Sequence, residues 1–225
     1  MEYRCVATSV EGFVQQLAVA YITHGYWFYV TGVIPDGKDP AAVDAKLIDR
    51  YGIAISKWAR CRRKKRGQAN IQYLRHERFF VLLATKGWHE FFERERATLR
   101  DVRRVAIEFA GYSIGCCKGR DGRWHASVRI ELGQYLRFSA FMRAQACICG
   151  VDTVASEFHR LPFERYAPVR RQLLSVWRAV NRVRRQAALQ PVGIECVPWR
   201  RTIVSAWEAR HRGAELGVTD RCSVK

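Results

Sequence analysis

Two periods of apolar spacing alternate along this chain, and the switches between them lay out its elements. Residues 3–7 read as a short strand, and Thr8-Ser9-Val10-Glu11 reads as a capping box, with a hydroxyl at the cap and a carboxylate three residues on. The apolar face that follows predicts a helix to about Thr23, stopped by Gly25. Residues 26–34 are aromatic and β-branched and predict a strand. Pro35-Asp36-Gly37 turns the chain, and Asp39-Pro40 is a cap followed by a proline at the first helical position, so residues 41–51 predict a helix that Gly52 ends.

Residues 71–74 and 78–84 read as strands, either a hairpin or one bent strand, and Lys86-Gly87 breaks the run. Residues 88–99 predict a short helix rich in Glu and Arg, and residues 102–109 alternate in part. Residues 112–117 and 124–132 flank Asp121-Gly122, a strong hairpin signal. Residues 134–149 predict a helix; Asp152 is the expected cap of another through His159, stopped by Pro162. Pro168 opens the longest helix, to about Gln190, before Pro191-Val192-Gly193. Residues 197–204 read as a strand or an irregular arm, and the polar stretch after Trp207 is expected to fray. The pattern holds no repeat of 20–50 residues. It is that of an α+β protein: a mixed N-terminal β-sheet with helices over residues 1–150, a mainly helical part over 151–207, and a tail over 208–225.

Charge changes this picture. Hydrophobic residues make up 48% of the chain, enough for a core, but 39 Lys+Arg face 21 Asp+Glu, a net charge of +18. Such an excess repels itself in the folded state, and a polyanion relieves it, nucleic acid first and anionic membrane next. Arg outnumbers Lys, and its planar fork grips phosphate in two places and stacks on bases. No apolar signal segment follows Met1-Glu2-Tyr3-Arg4, and no run approaches the ~20 apolar residues of a spanning helix. The expected location is therefore cytoplasmic, with no membrane partner. The eight scattered cysteines are expected to be reduced thiols in such a compartment.

Five groups of residues bear on candidate chemistry. In residues 57–66, seven of ten side chains are cationic: Lys57, Arg60, Arg62, Arg63, Lys64, Lys65 and Arg66. They read as a basic loop that binds phosphates, with Trp58 placed to stack on a base or to anchor the loop in the core. In the last helix Arg171, Arg178, Arg182 and Arg185 share one face, opposite Val169, Leu173, Val176, Trp177, Val180 and Ala187, while Arg184 falls on the apolar side. Tyr73, His76, Glu77, His89 and Glu93 are candidates for a Mg²⁺-dependent nuclease or strand-transfer enzyme, although no metal-nuclease spacing is satisfied. Cys116-Cys117 and Cys147-x-Cys149 lack zinc-finger spacing. Of Tyr26-Trp27-Phe28-Tyr29, alternation sends one pair into the core and leaves the other as a stacking face. Phosphate-loop, dinucleotide-binding and nucleophile-elbow motifs are absent from the sequence. The expectation is a protein that grips DNA or RNA through a basic loop and an Arg-faced helix. The alternatives are the nuclease just named and a basic subunit of a nucleoprotein assembly with protein partners.

Overall fold

The computed structural model describes residues 3–197, 199 and 203–208, so nearly all of the tail expected to fray, and part of the expected arm, lie outside the described residues. The fold is α+β, with two antiparallel sheets and a helical C-terminal part.

The first helix begins one residue later than its box suggests. Ser9, not Thr8, has the extended backbone of a cap, and its side chain accepts from the Gly12 N–H at 3.1 Å. The helix runs as α1 (Val10–Gln15), a π-helical stretch (Gln16–Tyr21) and a 3-10 turn (Ile22–His24) into Gly25, whose φ of 91° ends it. Phe13, Val14, Leu17, Ala18, Tyr21 and Ile22 are all buried. That arc is wide because this helix packs against strands of both sheets.

The first sheet has the order β2-β3-β1-β4, built from β1 (Tyr26–Val33), β2 (Ile71–His76), β3 (Phe79–Thr85) and β4 (Arg100–Asp101). β2 and β3 form the hairpin, turned at Glu77, which takes φ 52°. The chain before α1 is not a full strand. It makes a single parallel bridge to the edge of β2, with Ala7 N donating to Arg75 O and Arg75 N to Cys5 O, both at 2.7 Å. One face of the sheet, with Leu74, Val81 and Leu83, meets the first helix. The other buries Val30, Tyr73 and Leu82 beside Tyr51, Ile53 and Phe91. Helix α2 (Pro40–Arg50), capped by Asp39 as expected, is pinned to this face by a buried network. Asp44 accepts from Arg75 Nε at 2.8 Å, Arg75 Nη2 at 2.7 Å and the Tyr73 hydroxyl at 2.6 Å. The helix expected over 88–99 shrinks to α4 (Phe91–Arg94), which keeps Phe91 in the core before the chain breaks into turns, with Glu95 accepting from the Tyr51 hydroxyl.

The second sheet is a meander of β5 (Ile107–Phe109), β6 (Tyr112–Lys118) and β7 (Trp124–Ile130), with Gly122 at φ 72° in the expected turn. Helices α5 (Leu132–Gln145), α6 (Val151–His159) and α7 (Ala167–Gln186) follow. Gly150 caps α6, and Asp152 lies inside its first turn, where a carboxylate still favours the helix dipole. Helix α7 covers β7: the Gln172 amide donates to Ile130 O at 3.0 Å and accepts from Ile130 N at 2.8 Å. A strand edge that would otherwise recruit another chain is thereby closed. Residues on both sides of Gly150, among them Ile114, Met142, Phe158 and Leu173, share one apolar cluster with Phe13.

Candidate nucleic-acid interface

The basic segment is a helix, α3 (Lys57–Lys65), rather than a loop. Local chemistry accounts for the difference. Ser56 caps it, its hydroxyl accepting from Ala59 N at 3.2 Å. Arg and Lys are good helix formers, and Arg62, Arg63, Lys64 and Lys65 fall in the last turn, where the helix dipole favours cations. No residue of α3 is fully buried, so water and salt screen the repulsion among its cations enough for the helix to form. Two contacts hold the helix to the body: Arg63 Nη1 donates to Gly52 O at 3.2 Å, and Asn70 Nδ2 donates to Arg60 O at 3.1 Å. Among the described residues, none of the seven cations in 57–66 pairs with a carboxylate.

Two indoles bracket this helix. Trp58 in its first turn is 76% exposed, and Trp88 is 71% exposed. Trp88 stands just beyond the other end, because its N–H donates to Gly67 O and its carbonyl accepts from Ala69 N, both at 3.0 Å. A cleft of about 540 Å³ lies at the first end, lined by Tyr3, Ile55, Lys57, Trp58 and Arg60 among others. A second of about 230 Å³ is lined by Arg63, Gln68, Trp88, His89 and Glu90. Sequence reasoning had no reason to single out Trp88, which α3 meets only through pairing across the 67–69 turn.

The face expected on α7 is present. Arg171, Arg178, Arg182 and Arg185 are exposed and, among the described residues, in no ion pair, while Val169, Leu173, Val176 and Val180 are buried. Ala187 lies past the helix end and is exposed. Arg184, on the apolar side, is buried, and closes backbone carbonyls instead: its Nη1 donates to Ala146 O at 2.7 Å and Cys149 O at 3.0 Å, its Nε to Gln190 O at 2.6 Å. α3 is anchored at Gly52 and Asn70, and α7 against β7 and α5, so the two cationic surfaces have separate supports.

The candidate acid, base and nucleophile residues are not brought together. Tyr73 is fully buried, its phenol pKa driven far up by burial and then by Asp44, which leaves it no access to a phosphodiester. His76 sets Nδ1 3.0 Å from Ala7 O, and Glu77 is exposed in the β2–β3 turn. His89 and exposed Glu93 follow the opposite end of β3, whose seven residues span roughly 20 Å. The His89 pKa is lowered by burial and then by Arg63, and its Nδ1 accepts from Phe91 N at 3.1 Å. Among the described residues no group of three His, Cys, Asp or Glu is placed to hold a metal. None of the seven described cysteines is in a disulfide, and burial followed by Asp101 pushes Cys116 up to about 11.

The aromatic strand departs from simple alternation. A bulge between Tyr26 and Phe28 puts both Tyr26 and Tyr29 in the core and leaves Trp27 and Phe28 half-buried. The Arg103 guanidinium covers Trp27, 4.4 Å from its centroid, and is held there by Asp101 at 2.6 Å. The stacking face expected here is thus already occupied by the protein's own arginine.

The chain matches no family model, no curated protein and no solved structure. Among the described residues, no helix is long and apolar enough to cross a membrane.

Proposed function

We propose that the protein binds nucleic acid through its phosphates, with α3 as the main contact and the arginine face of α7 as a second. The observation that carries this reading is the helix at 57–65 itself: six cations in nine residues, all without carboxylate partners among the described residues, on an element with no fully buried residue. Its inward face, at Ala59, Arg60 and Arg63, is only half-buried, so it contributes little to the core, and its unneutralised charge costs stability in the free protein. Phosphates remove that cost, and the counterions they release drive association. The cytoplasm and the role of a subunit in a nucleoprotein assembly remain compatible with this reading.

The test is the salt dependence of binding to a labelled oligonucleotide, followed by fluorescence anisotropy between about 50 and 200 mM salt. Replacing exposed Arg62, Lys64, Lys65 and Arg66 by serine should flatten the slope of log K against log salt by about 3–4 units on duplex DNA if all four meet phosphate. Circular dichroism checks that the fold is kept. Wild-type affinity and slope in that variant would remove α3 as a phosphate reader, and no binding to any oligonucleotide would end the reading altogether.

A further inference from the structure

We infer that the strand held along α3 is single-stranded and that Trp58 and Trp88 take its unpaired bases by stacking, an inference that rests on the proposed nucleic-acid reading. Large aromatic side chains are seldom left in water, because burying one is worth several times the thermal energy. Here two indoles are exposed by 76% and 71%, and they sit at the two ends of one helix on which Lys57, Arg62, Lys64 and Lys65 are exposed. An ordinary basic surface explains the cations and not the indoles. A nucleic acid with accessible bases explains both, since every base offers a face to an indole while its phosphates follow the charged groups. In a duplex the base faces are stacked on one another, so indoles placed beside it would meet only its backbone and groove edges.

From Trp58 to Lys65 the helix rises roughly 10 Å at 1.5 Å per residue, and Trp88 is fixed beside Gln68, three residues past its end. Arg60, Arg62, Arg63 and Lys64 lie between these points along the chain. The cleft of about 540 Å³ beside Trp58 has Tyr3 and Ile55 as apolar walls and Lys57 and Arg60 as cations, the pairing that a base and its phosphate require. A lipid surface is the other polyanion that exposed Trp and Lys/Arg would suit. It needs an apolar stripe to insert, and apart from Trp58 the uncharged residues of α3 are only Ala59 and Cys61.

The test uses the full chain at one fixed salt concentration and fluorescein-labelled oligonucleotides: oligo-dT, oligo-rU and a DNA duplex of equal length. Wild type should bind the single strands at least about tenfold more tightly than the duplex. Trp58→Ala and Trp88→Ala should each weaken single-strand binding about 5- to 150-fold, leave duplex binding within about twofold, and leave the salt slope unchanged. Trp58→Phe, which keeps a ring, should recover most of the loss. Because both indoles are exposed, these variants should keep the wild-type unfolding midpoint, which is measured alongside. The oligo-dT and oligo-rU arms tell DNA from RNA. Equal affinity for single and double strands, with both alanine variants matching wild type, overturns this inference and leaves phosphate binding standing. Binding to vesicles of anionic phospholipid and to no oligonucleotide overturns both.

Discussion

Replacing Asp44, the buried carboxylate among the described residues, by alanine should destabilise the protein by about 4 kcal/mol. Asp44 is 6% exposed and Arg75 9%, so neither charge has much water to fall back on. The carboxylate takes both Nε and Nη2 of Arg75 and the Tyr73 hydroxyl. Removing one member of a buried pair strands the other, at about 3–5 kcal/mol, and the phenol becomes a buried donor without an acceptor, at about 1–3 kcal/mol; Arg75 keeps part of its hydrogen bonding, which brings the total down. Arg75 Nη1 retains the Glu77 carbonyl at 2.5 Å. In a chain of this length, 225 residues, that loss lowers the thermal midpoint by about 8–16 °C. Urea unfolding followed by circular dichroism reads it as a shifted midpoint at constant slope. The double replacement Asp44→Leu with Arg75→Met removes both charges and should recover most of the loss. A single variant within about 1 kcal/mol of wild type, or a double variant no better than the single, would show that this network does not hold α2 to the sheet.

Three further outcomes follow from the same structure. Gln172→Ala uncovers the Ile130 backbone at the edge of β7 and should cost about 1–3 kcal/mol in urea unfolding, with concentration-dependent association visible by light scattering. Replacing Arg171, Arg178, Arg182 and Arg185 together by glutamine should flatten the salt slope of oligonucleotide binding without moving the unfolding midpoint by more than about 0.5 kcal/mol, since all four are exposed; an unchanged slope would take α7 out of the interface. Folding lowers the His89 pKa from its ordinary 6.5, so the unfolded chain binds the proton more readily. Stability from this group is therefore present above 6.5 and is lost as pH falls below it, and His89→Gln should remove that part of the acid-side slope in a pH series of urea midpoints.

What the sequence made legible was local. Gly25 stops the first helix because a residue without Cβ takes φ 91° at no steric cost, Asp39-Pro40 starts α2, and Asp121-Gly122 turns β6 into β7. Each signal sits within a few residues of its effect. The arginine face of α7, and the inward exception at Arg184, were legible for the same reason, since helical spacing alone sorts them. The misreadings arise where distant residues decide. The exception is 57–66, read as a loop, where the adjacent serine cap and an exposed face make it a helix for local reasons. The bulge in β1, set by pairing with β3 over fifty residues on, breaks the alternation that was to leave a stacking face at 26–29. Nothing near Trp88 announces that it will stand beside Gln68, and nothing near Asp44 announces Arg75.

The first helix also sets a timetable. Residues 10–24 leave the ribosome well before their partners in β5 to β7, which end at Ile130. At about 5–20 residues per second, the newborn segment waits some five to twenty seconds for its second apolar lining. During that delay Phe13, Leu17 and Ile22 lack the lining that the second sheet supplies, and burying them joins contacts far apart in the chain, a slow class of folding step. Nascent chains halted before residue 107 are therefore where a chaperone would find this protein most in need.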